Sequence, residues 1–476
     1  MADVLFVNPP SPDGHIYIRD INRSGRRSRE RTIWPQTSLA LLAAVLKKDG
    51  FTVDLLDCIA LDMSWEELKA HLKDSPPRYV VTNAITSIIS NDLLATYLGK
   101  FFGARTIAVG PHVTSLPQET LEQFPTLDFA IIGEAEETIA DLLRACESGS
   151  DMAGVKGIAY RDGHGKVIIT EKRPFIEDLD TLPIALHELL PISKHHLPFI
   201  GSNYTFVLAS RGCPFQCTFC RQPIMWERQV RKRSAKSILE ELQYLNQLGI
   251  NNLMFHSDTF TIDRDIVLEL CEAIVQAGLK VRWICNSRVD TVDPEMLRAM
   301  KRAGCWMIAY GIETGSDTIL KNVKKGGTAT VAQAKQAMAW TVAAGIKIWA
   351  YFIIGLPGEN SQTVRETVRF AKSIPADLVN FAVGAPYPGT ELYAQAKEQG
   401  WLESEYWEDF DQNYSAILGY PDFSSADILK SIQWAYKKWY LRPRGIAAFC
   451  KGIRSWQDAA TLMRIAWDHL KIAKSN

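Results

Sequence analysis

Short apolar runs alternate with amphipathic stretches along most of this chain, and that alternation constrains its fold more than any other feature. A strand, a helix and a second strand in succession build a parallel pair, because the chain must cross over before it can restart in the same direction. In residues 1–150 the strand-like runs are Val4 to Val7, Thr52 to Leu56, Tyr79 to Thr82, Thr106 to Val109 and Phe129 to Ile132. Helical patterns fall between them at Ser38 to Asp49, near Trp65 to Leu72, near Asn91 to Phe102 and from Glu137. This predicts a doubly wound, Rossmann-like α/β domain. Ligands of such sheets lie beyond the strands' carboxyl ends, at the loops Asn8-Pro9-Pro10, Asn83 to Thr86, Gly110-Pro111-His112 and Gly133-Glu134.

A second series begins near Phe206. Its strands are Phe206 to Ala209, Leu253 to His256, Val281 to Asn286, Met307 to Ile312, Ile346 to Ile354 and Leu378 to Val383, with helical patterns such as Ser237 to Leu248 and Val331 to Ala344 between them. Six β–α units predict a partial (β/α)6 barrel over 205–400, active at the carboxyl ends of its strands. Residues 151–204 read as a connector with a hairpin at Gly157 to Thr170, turning at Asp162-Gly163-His164-Gly165. Residues 401–476 read as a helical, aromatic-rich cap with helices at Ala426 to Trp439 and Trp456 to Leu470, a lid or a substrate-shaping element. The 476 residues suit several domains.

Charge and hydropathy narrow the function. Fifty-three Lys and Arg balance 54 Asp and Glu, for a net charge of −1. Binding nucleic acid by bulk charge needs a more basic chain, so no nucleic-acid partner is expected. No apolar run reaches the length of a membrane span, and MADVLFVNPP lacks a signal peptide's basic head and apolar core. The expectation is a cytoplasmic chain, with peripheral membrane contact left open.

Six of the nine cysteines, Cys58, Cys146, Cys271, Cys285, Cys305 and Cys450, are scattered and read as buried small hydrophobes. The other three stand in Arg211-Gly212-Cys213-Pro-Phe-Gln-Cys217-Thr-Phe-Cys220, directly after the first barrel strand. Three thiolates on a short loop bind three irons of a 4Fe–4S cluster and leave the fourth iron open. A structural zinc site needs a fourth ligand; the nearest histidines, His195 and His196, precede the strand.

With Phe219 before the last cysteine, this loop resembles that of the radical S-adenosylmethionine (SAM) superfamily. Later segments agree in order. Gly311-Ile312-Glu313-Thr314-Gly315 resembles the ribose-binding segment, and Ile353-Ile354-Gly355-Leu356-Pro357-Gly358-Glu359 the adenine-packing segment. Asn286-Ser287-Arg288 ends the third strand, where Arg288 suits the methionyl carboxylate. Ala385 to Thr390 closes the sixth unit as in many relatives. The front domain resembles the cobalamin-binding domain of class B radical enzymes through Gly110-Pro111-His112-Val113-Thr114, Gly133-Glu134 and the stretch from Arg173-Pro174 to Leu182-Pro183. Two residues depart from that pattern, Pro111 and Ala135, where glycine is usual. Asp13-Gly14-His15 approaches a cobalt-ligating motif, but Ile18 replaces its glycine; the segment reads as a loop, with no histidine on cobalt.

The resemblance implies a 4Fe–4S cluster on Cys213, Cys217 and Cys220. It implies SAM against Phe219, Asn286, Arg288, Gly311, Glu313, Gly315, Gly355 and Gly358, and cobalamin against Asn83, Thr86, Gly110, His112, Thr114, Gly133 and Glu134. It further implies a one-electron donor such as flavodoxin or ferredoxin, and a small-molecule or lipid-like substrate. The expected reaction is methylation of an unactivated carbon. Within the class, Phe260-Thr261-Ile262-Asp263-Arg264 and Tyr387-Pro388-Gly389-Thr390-Glu391-Leu392-Tyr393 are similar to the hopanoid-associated proteins and the anaerobic magnesium-protoporphyrin monomethyl ester cyclases. Oxidative cyclisation or rearrangement is therefore an alternative. A non-catalytic iron–sulfur sensor or electron carrier is an alternative of another class. His256 reads as a polar residue under the site. Two cationic runs, Arg23, Arg26, Arg27, Arg29 and Arg31, and Arg228, Arg231, Lys232 and Arg233, read as solvated loops, with contact to anionic cofactor or lipid groups as the alternative.

Overall fold

A computed structural model describes residues 2–19, 25–28, 31–197, 201–325 and 329–443. Arg23, Arg29, Cys450 and the helix expected over 456–470 lie outside the described residues. The chain forms two compact units, and the division is not colinear with the sequence. Ile33–His195, Arg221–Glu227 and the described part of the first 28 residues make one; His196–Cys220 and the chain from Arg228 make the bulk of the other.

The first unit is built on a seven-stranded sheet. Its strands are β1 (Val4–Asn8), β2 (Val53–Asp57), β3 (Tyr79–Asn83), β4 (Arg105–Val109), β5 (Phe129–Ile131), β6 (Ile158–Arg161) and β7 (Val167–Ile169), in the order β2-β1-β3-β4-β5-β6-β7. The first five are parallel. β1 and β3 are buried along their whole length, which is why both read as unbroken apolar runs. Helices start where the sequence supplies caps: Ser64 and Glu67 form a capping box ahead of Trp65–Asp74. The hairpin expected in a connector instead joins this sheet, with β6 antiparallel to β5. A strand run of three or four residues carries no mark of its neighbour, so sequence located the hairpin without its partner.

The second unit holds six parallel strands in sequential order: β8 (Tyr204–Leu208), β9 (Asn252–His256), β10 (Arg282–Ser287), β11 (Cys305–Glu313), β12 (Lys347–Ile354) and β13 (Leu378–Val383). Asp293 caps Pro294–Arg302 and Asn360 caps Ser361–Ser373, so crossover helices begin soon after the strands end. Among the described residues the ladder runs from β8 to β13 without closing, a partial barrel. The outer strand is covered by the helix Ser425–Tyr440. The Tyr436 hydroxyl donates to Asn380 Oδ1 (2.6 Å) and accepts from the Phe381 N–H (3.1 Å), and Tyr440 donates to the Val379 carbonyl (2.8 Å). The cap thus seals an edge strand that would otherwise present free backbone groups.

Candidate active site

The cysteine loop is fixed from its first residue. Gly212 has φ +87°, and a Cβ there would stand 1.8 Å from the Gln229 carbonyl oxygen, so only glycine fits. Its N–H donates to the Asp258 carboxylate (2.7 Å), and Cys213 Sγ lies 3.6 Å from Thr259 Oγ1. The Thr218 N–H donates to the Val323 carbonyl, and the Thr218 carbonyl accepts from the Leu392 N–H. Phe219 packs on Ile319, Val323 and Leu356. No disulfide joins the three cysteines; Cys217 is buried, while Cys213 and Cys220 are half-buried. Burial pushes the Cys217 thiol up, and Lys325 and Arg288 pull against it.

Arg288 is engaged by protein. Its Nε and Nη2 donate to the two carboxylate oxygens of Asp290 at 2.8 and 2.7 Å, its Nη1 lies 3.8 Å from Cys217 Sγ, and its guanidinium sits 3.5 Å from the centre of the Phe215 ring. The fork expected on a methionyl carboxylate is therefore held by Asp290, and the arm beside it faces Cys217. Asn286 stands opposite Ala309 in the ladder. Glu313 ends β11 and is ion-paired to Lys325 at 2.7 Å.

The glycines of these segments differ in purpose. A Cβ on Gly311 would stand 2.6 Å from Glu313 Oε1, so this glycine makes room for that carboxylate. One on Gly315 would stand 2.7 and 2.8 Å from Phe370 and Thr367, so this glycine lets the strand end approach the helix Ser361–Ser373. Gly355 and Gly358 have φ +94° and +86°. The N–H groups of Gly355 and Leu356 donate to Glu359 Oε2 (2.6 and 3.1 Å). Burial pushes the Glu359 carboxyl up to about 7 against those two bonds.

In the first unit, Asn8, Asp57 and Asn83 end the neighbouring strands β1, β2 and β3. Asn8 donates to Asp57 (2.6 Å) and Asn83 to Gln36 (3.1 Å), while Asn83 Oδ1 is buried with no partner among the described residues. Arg19 is buried and donates to Asp92 (2.7 Å), whose carboxyl burial pushes up to about 6 against that cation. His112 is buried with Nδ1 3.3 Å from Thr86 Oγ1, and burial, then the nearby Arg221, push it down to about 3. Thr114 donates to the Gly110 carbonyl (2.8 Å) and accepts from the Gly133 N–H (3.1 Å), tying two loops. Gly110 has φ +116°, and its missing Cβ points at Ala84 O, 3.2 Å away; Gly133 has φ +79° and nothing within 4 Å of that position. Glu134 accepts from the Ile176 N–H (2.8 Å) and so anchors the following segment. His15 sits 3.1 Å from Asp13, which also accepts from Tyr17.

Comparison with known proteins gives these two edges a family. Residues 207–371 match the Radical SAM superfamily, and residues 29–143 match the B12 binding domain. An uncharacterized methyltransferase of Pyrococcus horikoshii is 32% identical over 87% of this chain and 89% of its own length. The chain belongs to the cobalamin-binding branch of the radical SAM superfamily. The anaerobic magnesium-protoporphyrin IX monomethyl ester cyclase of Cereibacter sphaeroides is 30% identical over 86% of this chain and 67% of its own. In fold, the radical SAM methyltransferase TsrM of Kitasatospora setae superposes with a TM-score of 0.67 over 84% of this chain and 78% of its own, at 18% identity.

This radical SAM enzyme therefore works with a 4Fe–4S cluster, SAM and cobalamin, and its residues fit them. Three cysteines on one loop, backed by two buried cations, suit an anionic thiolate-held cluster. The open side of Gly133 and the unpartnered oxygen of Asn83 suit a wide polar ring laid over the strand ends. Thr259, Asp290 and Lys325 escaped sequence reasoning. Thr259 and Lys325 act through contacts between separate segments, and Asp290 through Arg288, two residues before it. The second cationic run is only partly a solvated loop. Arg228 is exposed, but Arg231 and Arg233 are buried, and Arg233 is ion-paired to Glu241 and donates to the Leu208 carbonyl (3.0 Å). The reason is that this run returns to pair with Ser210–Arg211 ahead of the cysteines. In the first run Arg27 is tied to Tyr17 and Asp13. His256 is buried and packs beside Phe206.

Proposed function

We propose that this enzyme methylates an unactivated carbon of a small-molecule or lipid-like substrate, with a flavodoxin or ferredoxin as electron donor. The observation that carries this reading is the extent of the methyltransferase similarity, which spans both units and 89% of that relative. When bound, the cluster and SAM supply a hydrogen-abstracting radical, and cobalamin supplies a transferable methyl group. In the substrate one C–H bond is lost and one C–C bond forms.

The chain's own residues do the placing. Cys213, Cys217 and Cys220 would hold three irons and leave the fourth for SAM. Glu313 would accept hydrogen bonds from ribose hydroxyls, and Gly355 and Gly358 would let backbone approach the adenine. Asn83, Thr86, Gly110, His112, Thr114, Gly133 and Glu134 shape the edge that would hold cobalamin, with His112 kept neutral by burial.

The test is an anaerobic incubation of the holoenzyme with a small-molecule extract of the source cells, reductant and SAM carrying a deuterated methyl group. A product that gains the labelled methyl supports methylation. A product oxidised or cyclised without label supports the second reading, which the 30% identity to a cyclase favours.

A further inference from the structure

Glu313 takes φ +70°, a left-handed backbone that glutamate rarely adopts. The ladder slips at the same place: Gly311 faces Tyr351 and Glu313 faces Phe352, so Ile312 has no partner on β12. A bulge of this kind re-aims a side chain at a strand end. The re-aimed carboxylate meets Lys325, twelve residues on, beyond the helix Asp317–Asn322. The side chains are 7% and 9% exposed, with Nζ 2.7 Å from Oε1. Gly311 supplies the space, since a Cβ there would stand 3.1 Å from Lys325 Nζ as well as crowding the carboxylate. On its other side Lys325 is linked to the cluster loop. Its carbonyl accepts from Arg288 Nη2 (3.5 Å), and Arg288 Nη1 faces Cys217. A buried lysine is costly unless paired. A strand end that needed only packing would be as well served by an apolar residue.

We infer that Lys325 is a positioning residue of the SAM site: it aims the Glu313 carboxylate and places a fixed positive charge beside the Cys217 thiolate. This rests on the reading of Glu313 as the ribose acceptor. Hydrogen bonds and charges around the thiolates help to set a cluster's reduction potential, so Lys325 acts on two readouts that a purely structural residue would leave alone.

The experiment compares the parent with Lys325→Met, Lys325→Arg, Glu313→Gln and the Met/Gln double variant, all full-length and anaerobically reconstituted. Iron content and thermal melting confirm folding, and Lys325→Gln replaces the Met variant if that one fails to hold four irons. SAM binding is measured by equilibrium dialysis, and the midpoint potential by EPR-monitored titration without SAM. Lys325→Met should bind SAM about tenfold or more weakly and titrate at a more negative potential. Lys325→Arg should recover both, and the double variant should bind SAM no more weakly than Glu313→Gln. Parent-like affinity and potential in Lys325→Met would overturn the inference while Glu313→Gln still lost affinity. Parent-like SAM binding by Glu313→Gln would instead remove the ribose reading, and the positioning role with it.

Discussion

Glycine at positions 133, 212 and 315 answers three different demands. At Gly212 a Cβ meets a backbone carbonyl, and at Gly315 it meets a helix; at Gly133 it meets open space. Gly133→Val should therefore lower bound cobalamin while the chain keeps four irons, read by the cobalamin absorbance and an iron assay of one sample. Gly110→Val is a poorer probe, because it also presses on Ala84. With Glu313 as the proposed ribose acceptor, Glu313→Ala removes a charge-assisted hydrogen bond worth roughly 1.5–3 kcal/mol. It should weaken SAM binding about tenfold or more with the cluster spectrum unchanged. His112 is held well below its ordinary value of 6.5. A depressed histidine contributes stability that is present above 6.5 and is lost as pH falls below it, because the unfolded chain takes up the proton first. Melting of the full chain should fall more steeply on acidification than melting of His112→Asn. The places of Glu313 and Gly355 at strand ends were legible because each motif is local. Lys325 was not legible, because it acquires its meaning from Glu313 across an intervening helix.

Elements were legible where period and length agreed. The buried strands β1 and β3 and the six barrel strands announced themselves as apolar runs between amphipathic helices. The hairpin was legible as a hairpin but not as the edge of the first sheet, since β6 and β7 are too short to specify a neighbour. The buried Arg231 and Arg233 were misread for a related reason. Composition suggested a solvated loop, whereas a two-residue strand pairing draws the segment back over the barrel. The helix Ser425–Tyr440 was expected and found; two of its bonds to the edge strand run through one hydroxyl. Tyr436→Phe removes both bonds to Asn380 and Phe381. It should cost about 1–3 kcal/mol for the buried groups left unpaired, measured as a lower midpoint in urea unfolding. The cysteine loop, legible in full, gives a cleaner outcome. Replacing Cys213, Cys217 and Cys220 together by Ala should abolish iron–sulfur absorbance, and the same change at Cys58 and Cys146 should leave it intact.

At the scale of the whole molecule, the two cofactor edges belong to separate compact units joined by more than one crossing of the chain. Loss of the cluster and loss of cobalamin are therefore expected to be separable, and catalysis to require both. A cobalamin-dependent radical SAM enzyme and an iron–sulfur carrier differ in one product, 5′-deoxyadenosine. Its release is measured with the holoenzyme supplied anaerobically with SAM and reductant. The parent should release it and the triple cysteine variant should not. Holoenzyme with four irons, bound SAM and bound cobalamin that takes up electrons yet never forms 5′-deoxyadenosine would be a carrier and not this enzyme.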